Sequence, residues 1–280
     1  MKTTKKQKPS VKEKTKLKYI ATIAGVSFLG LTSAFMYYGF DPSLIASLSF
    51  YENLANPTVR IVKIQEGMRK EEVADLVGDK LGWSEFEKMQ FINMHLALNS
   101  ENLEGKYFPK TYMLSKNEDP VGVTATMLHE FEKETSKIKK PKKNEVINPD
   151  TALTIASIIQ REAAGKNDMR LISGIIWNRL FRGMKLQIDA TLQYAKGDEG
   201  EGWWPQISPD DKKIKSAYNT YLNPGLPPSP IANPGLAAIE AAYNPQRTDC
   251  LFYLHDKFGQ IHCTATYDEH RRNVDKYLKS

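Results

Sequence analysis

The stretch NPDTALTIASIIQRE, residues 148–162, decides how this chain is read. Ala152, Ile155, Ile158 and Ile159 recur at three- and four-residue spacing, which predicts an amphipathic helix over 151–164 with Asp150 as its N-cap. Glu162 follows Ile155 by seven residues, Ile158 by four and Ile159 by three. Its carboxyl group therefore falls on the apolar stripe rather than the wet face. Desolvating an ionised acid is costly unless it has a partner. A carboxyl group so placed should bind its proton more tightly than usual, which suits a general acid working near neutral pH. The plain alternative is a buried ion pair with Arg161 or Arg179.

Downstream, a second helix is predicted over 169–182, closed by Gly183. Leu171, Ile175 and Asn178 share one of its faces, so the Asn178 amide needs hydrogen-bond partners on an apolar surface. LQIDAT at 186–191 reads as a polar turn leading into 192–195. YNTY at 218–221 precedes NPGLPPSPIANPG at 223–235, a stiff proline-rich loop that cannot be a central strand or helix. Such a loop either shapes a groove or is a structural crossover. A helix over 236–243 and a hairpin of 251–255 with 260–266 follow. Cys250 and Cys263 lie on the two hairpin arms, either as a disulfide or as two small core residues.

Upstream, 59–64 is rich in β-branched residues and reads as a short strand, with a turn at Glu66-Gly67. Val73, Leu76, Val77 and Leu81 give a helix over 70–81, stopped by Gly82. Ser84 caps a second helix over 85–98, and a longer one spans 121–136. Strand, glycine turn, helix and helix is the pattern of a small LysM-like unit. IKKPKKNEVINP at 138–149 is the best domain boundary.

Charge patterning separates the N-terminus from the rest. Of 39 Lys+Arg, eight are lysines within residues 1–18, opposed only by Glu13. The body is close to neutral, so it lacks the basic surface of a nucleic-acid binder. Residues 19–40 then run without a charge, which as a helix gives about 33 Å, enough to cross a bilayer. Lysines on its N-terminal side place 1–18 in the cytoplasm and the remainder outside, anchored in the inner membrane. A cleaved signal peptide is the competing reading. Histidines and cysteines show no zinc-ligand spacing, and there is no G-x-S-x-G elbow, so no metal or cofactor is expected.

The second half resembles the YceG-like endolytic murein transglycosylases. The resemblance rests on IASIIQRE at 155–162, WNRL at 177–180, GMKLQIDAT at 183–191, YNTY at 218–221, the proline-rich string at 223–235 and TYDEH at 266–270, with EGKYFPKTY at 104–112 upstream. It implies cleavage inside peptidoglycan glycan strands, leaving 1,6-anhydro-muramic ends, with Glu162 as the catalytic acid/base. Asn178, Gln187, Asp189, Thr191, Tyr218, Asn219 and Thr220 match motif positions that would line the glycan groove. Glycan strands are the implied partner, with cell-wall synthesis proteins as further candidates. A non-catalytic peptidoglycan-binding protein and a plain muramidase-type hydrolase are the alternatives. Trp203 and Trp204, in the stretch 197–213, either stack on sugars or pack.

The expected architecture is α+β: a cytoplasmic basic tail (1–18), one transmembrane helix (19–40), a connector (41–58), a LysM-like module with helical extension (59–136) and a mixed catalytic domain (145–280).

Overall fold

The computed structural model describes residues 56–99, 102–138, 147–198, 200 and 202–279. The basic tail, the expected transmembrane helix and most of the connector lie outside the described residues, as does much of the basic stretch between the two halves. Among the described residues, no helix is long and apolar enough to cross a membrane. Residues 58–280 form one compact unit, and its architecture is mixed α+β.

The first half pairs β1 (Val59–Lys63) antiparallel with β2 (Thr111–Ser115), with Val59 opposite Ser115 and Lys63 opposite Thr111. Alternation buries Val62 on β1 and Tyr112 and Leu114 on β2. Against them pack α1 (Lys70–Leu81), α2 (Glu85–Ile92), α3 (Met94–Ala97) and α4 (Pro120–Thr135). Gly82 ends α1 at φ 77°, a left-handed conformation that glycine adopts without penalty. The helix expected over 85–98 is broken at Asn93. The Asn93 side-chain amide donates to the Met89 carbonyl at 3.0 Å, competing with the backbone ladder.

The second half is built on α5 (Pro149–Glu162), α6 (Met169–Phe181), α7 (Asp189–Lys196) and α8 (Leu236–Tyr243). Ile155, Ile158 and Ile159 of α5 meet Ile172 and Ile176 of α6 and Ala238 and Ala242 of α8 in its core. The cap of α5 is Asn148, whose Oδ1 accepts the Thr151 N–H at 2.7 Å, rather than the expected Asp150. Pro149 is tolerated as the first helical residue because its missing N–H would have no intrahelical partner there. The polar turn at 186–191 is helical from Asp189 onward. A hairpin of β3 (Phe252–His255) and β4 (Ile261–Thr264) and a last helix, α9 (Tyr267–Tyr277), close the chain. Cys250 and Cys263 form a disulfide across this hairpin.

The proline-rich string joins the halves. The Ile231 N–H donates to Ser157 Oγ on α5 at 3.0 Å, and the Gly235 N–H to Gln160 Oε1 at 3.0 Å. Asn233 reaches the other half: its backbone exchanges hydrogen bonds with Gly67 and Met68, and its Oδ1 accepts the Tyr107 N–H at 2.9 Å. The loop thereby fixes how the 66–70 and 104–107 segments sit against α5.

Candidate active site

Glu162 is the last residue of α5. The chain then turns extended at Ala163, and Asp168 takes the next two backbone donors, Ala164 N–H at 3.0 Å and Gly165 N–H at 3.2 Å. A buried carboxylate thus pins the turn that follows Glu162. The Glu162 carboxyl lines a cavity of about 500 Å³. Burial raises its pKa above the ordinary carboxylate value, and neighbouring Asp189 adds to the rise. Opposing this, the Tyr253 hydroxyl donates to Glu162 Oε2 at 2.6 Å, and the Ala190 backbone N–H also donates to the carboxylate. Burial is the largest effect, so the proton is held more tightly than by an exposed glutamate. The two arginines named in the alternative ion-pair reading make other contacts. Arg161 lies 3.7 Å over the Trp204 ring and donates to the Gly67 carbonyl. Arg179 donates to the carbonyls of Leu251, Lys185 and Leu186.

Two other expected residues share the cavity with Glu162. Gln187 lines it from a left-handed backbone, φ 53°, fixed by its N–H donating to the Thr220 carbonyl at 3.2 Å. Few non-glycine residues sit in that region, and those that do cluster at functional sites. Asp189 lines it at the start of α7, and the Tyr221 hydroxyl donates to Asp189 Oδ1 at 2.6 Å.

Thr191, Tyr218, Asn219 and Thr220 support the site from behind, and Asn178 lies apart from it. Thr191 and Thr220 are buried and bond each other, Oγ1 to Oγ1 at 2.8 Å; Thr220 also accepts the Ile188 N–H. Asn219 is fully buried, donating to the carbonyls of Lys212 and Ile214 and accepting the Tyr221 N–H. It thereby aims Tyr221 at Asp189. The Tyr218 hydroxyl pairs with Ser229 Oγ at 2.6 Å, fastening the proline-rich string. Asn178 meets the need read from its stripe by donating to the carbonyls of Thr248 and Cys250, and it faces a separate groove with Trp177 and Phe181. Trp203 and Trp204 pack on arginines: Trp203 under Arg69 at 4.6 Å, and Trp204 under Arg161, with its indole N–H donating to Glu72 at 2.9 Å. Among the described residues, no cluster of three or more His, Cys, Asp or Glu is placed to hold a metal ion.

The sequence profile of the YceG-like family matches residues 11–276. The chain belongs to the YceG-like family. Within this YceG-like chain, 179 residues are 35% identical to the endolytic murein transglycosylase of Bacillus subtilis, covering 64% of this chain and 49% of that protein. A further 34% identity over 182 residues relates it to the endolytic murein transglycosylase of Streptococcus pneumoniae, covering 64% of this chain and 33% of the relative. The chain thus spans about half or less of the length of these curated relatives. The 2.6 Å crystal structure of a YceG-like protein from Listeria monocytogenes superposes with a TM-score of 0.67 at 27% identity, over 78% of this chain and 76% of that one.

Several cavity residues of this YceG-like chain were not singled out in the sequence. Tyr221 sits inside the quoted YNTY motif, yet only its three predecessors were assigned to the groove. Phe252, Tyr253 and His255 come from β3, and Tyr267 and His270, which lie in the quoted TYDEH motif but carry no groove assignment there, from the first turn of α9. His255 Nε2 pairs with Asp168 Oδ2 at 2.7 Å. For β3, alternation was the only available signal: Tyr253 and His255 are two apart and so share a face.

Proposed function

We propose that this protein is an endolytic lytic transglycosylase that cuts the MurNAc–GlcNAc bond inside peptidoglycan strands. Glu162 is its general acid/base. The observation that carries this reading is one carboxyl group, its pKa raised by burial, facing a cavity wide enough for a sugar.

The reaction needs no water. Glu162 protonates the bridging oxygen as the bond from that oxygen to the muramic C1 breaks. The 6-hydroxyl of the same muramic residue attacks C1, and its proton passes to the Glu162 carboxylate. The acid is regenerated and a 1,6-anhydro ring closes. One group thus acts in turn as acid and base, where ordinary glycosidases divide the work between two carboxylates. Gln187 and Asp189 are positioned to hydrogen-bond sugar hydroxyl or N-acetyl groups. Phe252 and Tyr267 offer aromatic faces for sugar rings.

A second reading has a specific observation behind it. Asp189 is a second carboxylate in the same cavity, oriented by Tyr221. Were it to activate a water, the product would be a reducing end and the enzyme a muramidase.

We further propose a membrane-anchored topology. Residues 19–40 anchor the chain in the inner membrane, and 41–280 lie outside the cytoplasm, with 59–136 as a LysM-like glycan-binding module and 145–280 as the catalytic domain. The uncharged 22-residue run beside eight lysines supports the anchor. The Cys250–Cys263 disulfide supports an oxidising compartment. Cell-wall synthesis proteins are proposed as partners on the same ground of location.

Mass spectrometry of fragments released from purified peptidoglycan by the full-length protein tests the reading. Internal cuts with 1,6-anhydro ends are expected. Reducing ends would move the assignment to a hydrolase, and no release would leave a binding protein.

A further inference from the structure

We propose that Tyr253 is a positioning residue for Glu162, holding one oxygen of its carboxyl group and stabilising the negative charge that forms there when the proton leaves. This deepens the assignment of Glu162 as acid/base and rests on it.

The geometry is specific. Tyr253 and Glu162 are 91 residues apart in sequence and meet at 2.6 Å, with the phenol donating to Oε2. A donor on Oε2 favours the transferable proton on the other oxygen, and the Ala190 N–H is a second donor to the same carboxylate. Tyr253 is itself held. Its strand pairs with β4, Cys263 lies directly opposite it in register, and the Cys250–Cys263 disulfide bridges the hairpin. Arg179 secures the strand's entry by donating to the Leu251 carbonyl at 2.7 Å. Two residues on, His255 bonds Asp168, which holds the Ala164 and Gly165 amides behind Glu162. One face of β3 therefore grips both the Glu162 side chain and the turn that follows it.

The chemistry gives this grip a direction. A phenol hydrogen bond to a neutral carboxyl group is modest. To a carboxylate it is charge-assisted and roughly twice as strong. Tyr253 therefore stabilises the proton-transfer state more than the resting state, the condition for accelerating a step. The other ionisable groups around the pair are Asp189 at the start of α7, His255 on β3, Arg161 on α5, Arg179 on α6, Tyr221, Asp168, and Tyr267 and His270 of α9, which line the same cavity. All remain when the phenol hydroxyl alone is removed. Its loss favours the protonated form of Glu162, so the acid stays protonated to higher pH but becomes a weaker acid.

The test is the pH profile of kcat and KM of the full-length Tyr253→Phe variant on purified glycan strands. The expected result is a fall in kcat of roughly tenfold to a hundredfold at the wild-type optimum. KM should stay within about twofold, and the basic limb of kcat should move to higher pH by about one unit. Replacing Tyr253 with 3,5-difluorotyrosine keeps the shape and strengthens the donor, so the limb should move the opposite way; this arm stands even if Tyr253→Phe folds poorly. An unmoved limb in both variants overturns the inference. Glu162→Gln is run alongside: if it is inactive while the limb is unmoved, only the role of Tyr253 fails. If it turns over, the acid/base assignment itself fails.

Discussion

Among the described residues, Glu104 and Glu162 both have a pKa raised chiefly by burial, and their surroundings differ. Glu104 sits where the two halves meet and is fully buried. Its oxygens accept the Lys70 N–H at 3.0 and 3.2 Å, the Tyr194 hydroxyl at 3.2 Å and the Asn233 amide at 3.3 Å. Burial, with Glu71 nearby, pushes its pKa up to about 8. Glu162 is raised by the same cause, yet it keeps an open side onto a 500 Å³ cavity. A displaced pKa is thus common to a structural node and to a candidate catalytic group. What separates them is room for a substrate beside the proton.

Exchanging each glutamate for glutamine sharpens that contrast. Glu162→Gln should lose about 10³-fold or more in turnover while its thermal midpoint stays within a few degrees of wild type. Glu104→Gln should keep turnover per folded molecule within about twofold, measured at pH 6. Substantial loss of activity in Glu104→Gln would erase the distinction drawn here.

The next effect is on stability against pH. Glu104 has a folded-state pKa above its unfolded value, so the native state binds the extra proton. Its stabilising contribution is complete below about 4.5 and is lost as pH rises towards about 8. Glutamine mimics the protonated acid at every pH. Glu104→Gln should therefore gain about 3 kcal/mol relative to wild type between pH 5 and pH 8 in urea melts. A parallel offset across that range would contradict the assignment of the shift to Glu104.

Removing the disulfide with the Cys250→Ala, Cys263→Ala pair should cost about 2–3 kcal/mol, since it closes a loop of 13 residues. Because β3 carries Tyr253, turnover should fall as well, while the pH dependence owed to Glu104 stays. Unchanged turnover in the double variant would separate the hairpin from the chemistry. The smallest effect is expected for Tyr194→Phe, about 1 kcal/mol of stability with turnover unaltered, because Asn233 and Lys70 still serve Glu104.

The same contrast explains what was legible in the sequence. Glu162 could be read from local periodicity, because α5 carries its apolar stripe within a few turns. Asn178 could be read likewise: a polar group on that kind of face had to find partners, and it found two carbonyls. Long-range pairings were not legible. β2 is recognisable only once Val62 and Tyr112 face each other across the sheet. α9 carried a capping box, Thr266 with Glu269, but buries none of its residues fully, so no apolar period announced it. Within the polar motifs, composition could not tell lining from support. Thr191 and Thr220 bond each other and Asn219 bonds nearby backbone groups, leaving Gln187, Asp189 and Tyr221 facing the cavity. Glu104 and Asn233 lay in conspicuous motifs whose purpose, binding the halves together, appears only when both are seen in contact.

The claim that everything else depends on is that the Glu162 proton drives cleavage. The most direct measurement incubates purified peptidoglycan with equal amounts of folded wild-type and Glu162→Gln protein at neutral pH and follows anhydro-ended fragments by mass spectrometry. Steady accumulation is expected with the wild type and none above background with the variant. Anhydro-ended fragments released by Glu162→Gln at a comparable rate would contradict that claim.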